Sequence, residues 1–186
     1  NKDLFLKIIL SSIPVMFFGF LLVQFELIDQ LRNIKVIGWT TIIFGIILYI
    51  SDKFNMDKKI ENDFTFKSAI FIGVLQIFSL IPGVSRSGIS ISAARILKFN
   101  RFDSAKISFL LAVPALSAAS LLGLYGIYKE GSGELNFLAI IAVIFSAMFS
   151  YITISLFLNF IKKFSLKVFV IYRIILSFIL LSIVYL

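Results

Sequence analysis

The sequence predicts an all-α integral membrane protein of about five transmembrane helices plus one re-entrant, broken-helix hairpin. Composition is the first observation behind this. Of 186 residues, 60% are apolar and 15% charged, and mean hydropathy is +1.03. A soluble domain is about half apolar and about a quarter charged, so one core of this size cannot hide the excess. The second observation is that the apolar residues fall in runs of membrane length. The third is a polar, Pro- and Gly-containing break inside an apolar stretch.

Crossing a bilayer takes about 20 apolar residues, within about 17–25. Leu6 to Val23, Ile34 to Ile50, Ala105 to Tyr128, Phe137 to Ile161 and Val168 to Leu186 qualify, and none contains Asp or Glu. The carboxylates Asp3, Glu26, Asp29, Asp52, Asp57, Glu61, Asp63, Asp103, Glu130 and Glu134 fall in the N-terminal lead or the connections. Helices of a soluble bundle would carry polar stripes at helical spacing; these runs are apolar all round.

Residues 69–97 read differently. Ala69 to Ile81 is apolar but too short to cross. It is followed by Pro82-Gly83-Val84-Ser85-Arg86-Ser87-Gly88 and a second short apolar piece, Ile89 to Leu97. Pro82 has no N–H and disfavours helix at Ile81, while Gly83 and Gly88 permit sharp turns. The segment is two half-helices around a polar loop, 82–90. Such backbone survives at membrane depth only inside protein or beside a wet cavity.

Charge decides how the hairpin runs. If it returns to the side it came from, Lys2, Lys7, Lys53, Lys58, Lys59, Lys67, Lys98, Arg101, Lys106, Lys162, Lys163 and Lys167 share one face. The other face then has only Arg32, Lys35 and Lys129. If the hairpin crosses, the basic clusters split. Cytoplasmic loops carry excess Lys and Arg, which favours the re-entrant path, a cytoplasmic Asn1 end and an extracytoplasmic Leu186 end. The net charge of +8 thus reads as one membrane face. No nucleic-acid partner is expected, and the Phe residues read as lipid packing.

The break carries the chemistry. Ser85, Arg86, Ser87, Ser90 and Ser92 put a cation and several hydroxyls at the start of a half-helix. A helix N-terminus offers free N–H groups and the positive end of a dipole. Arg86 adds a planar fork suited to phosphate oxygens. A capping Ser and an Arg that bonds loop carbonyls or snorkels to the headgroups are the structural alternative, but a charge within the membrane points first to function. Arg173, inside the last span, either reaches the same anion, braces the loop or snorkels. Gln76 either lines the site or is hydrogen-bond glue between helices. Arg95 and Lys98 end the second half-helix, where cations suit its dipole.

There is no Cys and no His, so thiol nucleophiles, imidazole bases and Cys or His metal sites are excluded within the chain. Phosphoanhydride hydrolysis needs charge neutralisation and a base or activated nucleophile, and a divalent metal wants carboxylates. The spans supply none, so the chain reads as the phosphate-binding half of a site.

Ile81-Pro82-Gly83-Val84-Ser85-Arg86-Ser87-Gly88 resembles the P-G-x-S-R-S-G signature of the bacterial undecaprenyl-diphosphate phosphatases, the bacitracin-resistance family. Gly73-Val74-Leu75-Gln76 before it, Ser108-Phe109-Leu110-Leu111-Ala112-Val113-Pro114 after it and Ile171-Tyr172-Arg173 near the end are similar to that family too. The resemblance runs along essentially the whole chain. It implies hydrolysis of the terminal phosphate of undecaprenyl diphosphate, which recycles the carrier lipid for peptidoglycan. It also implies an inverted-repeat fold in the bacterial inner membrane, with the site facing the extracytoplasmic side, a magnesium or calcium cofactor and a polyprenyl diphosphate partner; a homodimer is compatible with it. Carried over, Arg86 and Ser85 become the catalytic candidates. Ser87, Gly83, Gly88, Ser90, Arg173 and Gln76 become substrate-binding candidates. Ser90 stands where the family usually has Thr, and the hydroxyl is kept.

One departure matters. The family's other re-entrant motif, a Glu-x-x-x-Glu pair with a Ser-rich turn and a His, has no counterpart here; Gln76 and Leu80 stand where two acids would. The expectation is a single membrane domain over 1–186, incomplete at its N-terminus, with metal ligands outside this chain and no phosphatase activity alone. Turnover of a prenyl diphosphate by the purified chain would overturn that expectation. The competing reading is a transporter or flippase for an anionic lipid, since broken helices aimed at an anion also serve transport.

Overall fold

The computed structural model describes residues 2–25, 31–53, 56–129 and 137–185. The termini Asn1 and Leu186, and the connecting acids Glu26, Asp29, Glu130 and Glu134, lie outside the described residues. The chain is an all-α integral membrane protein. Five long apolar helices are α1 (Lys2–Gln24), α2 (Ile34–Asp52), α6 (Arg101–Lys129), α7 (Phe137–Lys163) and α8 (Lys167–Tyr185). The first four contain an expected span each, and α8 follows the fifth from Val168 to Tyr185, the last described residue. Between α2 and α6 lie a single turn α3 (Ile60–Asp63) and the two arms of the hairpin, α4 (Phe66–Gln76) and α5 (Arg86–Ile96).

Local chemistry sets the hairpin's limits. Thr65 caps α4, its Oγ1 accepting from the Ser68 N–H at 3.2 Å, so this arm starts three residues before Ala69. After Gln76 the chain tightens into a 3-10 turn, Ile77–Leu80, and Ile81 adopts an extended conformation, as a residue before proline prefers. The α5 arm ends with Lys98 at φ +74°. There the Lys98 N–H donates to Arg95 O at 2.8 Å and the Phe99 N–H to Ala94 O at 3.1 Å, the double bond pattern of a left-handed helix C-cap.

The hairpin returns to the end it started from. Lys58, ahead of its first arm, bridges Phe99, just past its second: the Lys58 N–H donates to Lys98 O at 3.2 Å and the Asn100 N–H to Lys58 O at 3.0 Å. The Phe64 and Phe99 rings meet edge to face at 6.1 Å. Contacts between helix ends agree. Lys7 of α1 lies 5.3 Å from the Phe66 ring, Lys162 of α7 lies 4.6 Å from the Phe102 ring, and at the opposite end Lys35 lies 5.3 Å from the Tyr185 ring. The basic clusters at 2–7, 53–67, 98–106 and 162–167 thus gather at one end of the bundle.

Asp52 ties that end together. The sequence places it in a connection, but it is the last residue of α2 and only 4% exposed. Its Oδ1 accepts from Arg101 Nε at 2.7 Å and pairs with Arg95 Nε at 3.4 Å. Its Oδ2 accepts from the Leu166 N–H in the α7–α8 turn at 3.1 Å. Arg95, 1% exposed, also donates to Phe99 O at 2.9 Å. Arg95 is therefore an internal ion-pair partner as well as a cation near a helix C-terminus.

Two apolar clusters hold the hairpin in place. Ile8, Ile72, Ala94, Phe99, Ile107 and Leu111 join α1, both arms and α6. Leu48, Ile91, Ala105, Ile161, Leu166 and Val170 join α2, α5, α6, α7 and α8. Close approach depends on small residues, as between membrane helices generally. A Cβ on Gly73 would sit 2.2 Å from the Ser11 backbone oxygen of α1. Phe17, Trp39, Leu121, Phe149 and Ile183 face outward, the surface that lipid requires.

Candidate anion site at the broken helix

The loop is held by its carbonyls. Gly83 has φ +90° and Ser85 has φ +68°. The Ser85 conformation is costly for a residue with a Cβ, of order 1–3 kcal/mol, and persists only when its surroundings fix it. Three successive carbonyls are taken by neighbouring helices. Thr40 Oγ1 donates to Pro82 O at 2.6 Å and Thr41 Oγ1 to Gly83 O at 3.1 Å. Arg173 Nη2 donates to Gly83 O at 2.7 Å and to Val84 O at 3.0 Å. Turning the carbonyls toward α2 and α8 leaves the α5 N-terminus as the loop's donor face.

Ser85 is the N-cap of α5. Its Oγ accepts from the Gly88 N–H at 3.2 Å and lies 3.3 Å from Ser87 Oγ. The Arg86 and Ser87 N–H groups, first in the helix, have no intrahelical acceptor. Gly88 is required by crowding: a Cβ there would lie 2.9 Å from Arg173 Nη1 and 3.3 Å from Ser85 Oγ.

Beside the loop is a cavity of about 480 Å³. Gly83, Ser85, Ser87, Gly88, Thr41 and Arg173 form its polar side; Ile37, Leu48, Phe157, Phe169 and Leu176 are among its apolar walls. An ionic group beside the loop and a hydrocarbon chain along the walls would both be accommodated.

The structure brings five of the eight candidates to this cavity: Ser85, Ser87, Gly83, Gly88 and Arg173. Of the roles open to Arg173, bracing the loop is the one observed. Arg86 is turned to α6, where Nη1 donates to Ala112 O at 3.3 Å, two residues before Pro114. It is only half-buried, and the rest of its fork makes no protein hydrogen bond among the described residues. Ser90 is 1% exposed and Gln76 0%, and neither lines the cavity. Both polar atoms of the Gln76 side chain lack a partner among the described residues, so it supplies no hydrogen-bond glue to them.

Thr40 and Thr41 are the residues that sequence reasoning missed. The available signal was an adjacent pair of hydroxyls inside an otherwise apolar span. Thr40→Val removes the donor to Pro82 O at nearly constant volume. It is expected to destabilise the protein by about 1 kcal/mol, the usual net worth of one hydrogen bond, since this one is only part-buried, while Thr40→Ser stays near wild type. Graded unfolding in mixed micelles checks this.

The loop's groups are hydroxyls, N–H donors and guanidinium, and its carbonyls are occupied. That set suits an anion. It does not fit a divalent cation, which takes carboxylate and carbonyl oxygens, and no cluster of three acidic side chains occurs among the described residues.

Residues 1–179 match the family model described as bacitracin resistance protein BacA. The chain is 52% identical over 186 residues to an undecaprenyl-diphosphatase of Pelagibacter ubique (strain HTCC1062), covering 100% of this chain and 72% of that protein. It is 45% identical over 175 residues to the protein of that name from Campylobacter curvus (strain 525.92), covering 93% of this chain and 65% of that protein. The corresponding Saccharophagus degradans (strain 2-40) protein is 38% identical over 178 residues, covering 95% of this chain and 66% of its own length. On a match of this extent, carried through the loop and the helices that clamp it, the chain belongs to the bacitracin resistance protein BacA family.

Proposed function

We propose that this protein is an undecaprenyl-diphosphatase, a membrane hydrolase that removes the terminal phosphate of undecaprenyl diphosphate, and that loop 82–90 with the α5 N-terminus binds the diphosphate. The observation carrying this reading is the clamping of the Pro82, Gly83 and Val84 carbonyls by Thr40, Thr41 and Arg173. It leaves N–H groups and the Ser85 and Ser87 hydroxyls to face an anion in the cavity; Arg86, turned to α6, joins them when the part of its fork not bonded to Ala112 O swings to the ligand. Donors fixed before the reaction cost no reorganisation as charge develops. The apolar walls of the cavity suit a prenyl chain.

The acids and the magnesium or calcium ion that hydrolysis would use lie elsewhere than at this loop. The hairpin is one arm of an inverted-repeat fold. The site faces the extracytoplasmic side of the bacterial inner membrane. Thr40 and Thr41 belong to the half of α2 that follows Arg32 and Lys35, while the opposite end collects the lysines and arginines that favour the cytoplasm. The exposed faces of α6 and α7 are compatible with a homodimer.

The purified chain should bind farnesyl diphosphate well above farnesol. The protein expressed from its whole reading frame, in proteoliposomes, should release phosphate from undecaprenyl diphosphate. Translocation of the lipid without phosphate release would identify a transporter instead.

A further inference from the structure

At the basic end of the bundle, away from loop 82–90, a second cavity of about 370 Å³ opens between the end of the hairpin, the start of α6 and the end of α7. Arg95, Arg101 and Lys162 line it against a single lining carboxylate, Asp57. Asp52, just behind, is already shared among Arg101, Arg95 and the Leu166 N–H. The Asn100 amide is committed to Lys58 O at 3.0 Å and to Asp103 at 2.6 Å. Two cations therefore have unused capacity. Arg101 bonds through Nε and Nη2, leaving Nη1 without a protein partner among the described residues. Lys162 is exposed and sits 4.6 Å from the Phe102 ring, with no carboxylate partner among the described residues.

The depth of this cavity is informative. It lies where α7 ends in Lys162 and Lys163 and α6 begins at Arg101, the boundary between apolar spans and water. Met56, Phe102 and Ile161 give it an apolar part next to the cations. Basic pockets between helices at this level suit phosphate headgroups, and each cation near an anionic surface strengthens attachment about fivefold. We infer that this cavity holds the phosphodiester headgroup of an anionic membrane lipid, with Arg101 and Lys162 on its phosphate. The inference is independent of the reaction proposed for the loop.

The test uses the purified chain in a neutral detergent, titrated with phosphatidylglycerol, phosphatidylcholine or inorganic phosphate and followed by thermal unfolding and native mass spectrometry. Phosphatidylglycerol should raise the unfolding midpoint and remain bound; phosphatidylcholine should do neither. Lys162→Gln leaves the Asp52 network intact and should weaken phosphatidylglycerol binding about fivefold, the loss of one such cation. Lys163→Gln removes the same charge from the same helix end but from outside the cavity, and should change binding less than about twofold. Equal effects of the two substitutions, or equal binding of the two lipids, would overturn the site. Binding of inorganic phosphate that depends on Lys162, with no preference between the lipids, would overturn its assignment to a lipid.

Discussion

Replacing Arg86 with Ala is expected to weaken farnesyl diphosphate binding by the chain about 10- to 100-fold, and to lower kcat/KM for phosphate release about 10²- to 10³-fold. Removing a hydrogen bond to a charged group costs about 1.5–3 kcal/mol, and about 1.4 kcal/mol is tenfold in affinity. Losing one donor to the charge that develops in the transition state costs about 2.7–4 kcal/mol in rate. Arg86→Lys keeps the charge but not the fork, and should recover only part of either loss. Folding should be little affected, since Arg86 is half-buried and its one protein hydrogen bond among the described residues, to Ala112 O, is 3.3 Å long. Near-normal turnover in Arg86→Ala, with the loop intact, would remove Arg86 from the site. The same result would leave the clamp on the loop carbonyls untouched, because Thr40, Thr41 and Arg173 hold it without Arg86.

Asp52→Ala should be the most destabilising single substitution at the basic end, costing about 3–5 kcal/mol. That is the usual result of removing one partner from a buried ion pair and stranding the other. Arg95 is 1% exposed and cannot turn to water; Arg101, at 32% side-chain exposure, can do so in part. Asp52→Ala also removes the acceptor of the Leu166 N–H, freeing the α7–α8 turn from α2. Adding Arg95→Met to Asp52→Ala should return part of the stability, since an apolar replacement for a buried charge is often neutral or better. Graded unfolding in mixed micelles measures both variants. A single variant within about 1 kcal/mol of wild type would show that the Asp52 network carries little of the fold.

Much of this architecture was legible because lipid imposes simple rules. Runs of about 20 apolar residues have few fates besides spanning a bilayer, and Pro82 next to Gly83 cannot continue a helix. The re-entrant path was legible through charge, since only that path puts the lysines of 53–67, 98–106 and 162–167 together. The Lys58–Phe99 bridge realises it in hydrogen bonds. Less legible was which way a side chain turns from a helix end. Arg86, Ser87 and Ser90 lie within one and a half turns of α5. Successive residues differ by about 100° around a helix, so Ser87 meets the cavity, Arg86 meets α6 and Ser90 is buried. Composition alone could not separate them.

The sequence by itself determined that the protein is helical and membrane-embedded, that its helix breaks at Pro82 and Gly83, and that a cation and several hydroxyls cluster at the break. These follow from hydrophobicity, proline and glycine stereochemistry and charge, which act locally. The second arm starts at Arg86, three residues earlier than the apolar pattern placed it. Only the tertiary structure decided that Thr40, Thr41 and Arg173 close on three loop carbonyls, and that Asp52 joins four segments from its buried place at the end of α2. Residues 42 and 90 positions apart meet there because the apolar faces of α2, α5 and α8 pack together, and no local rule encodes that packing.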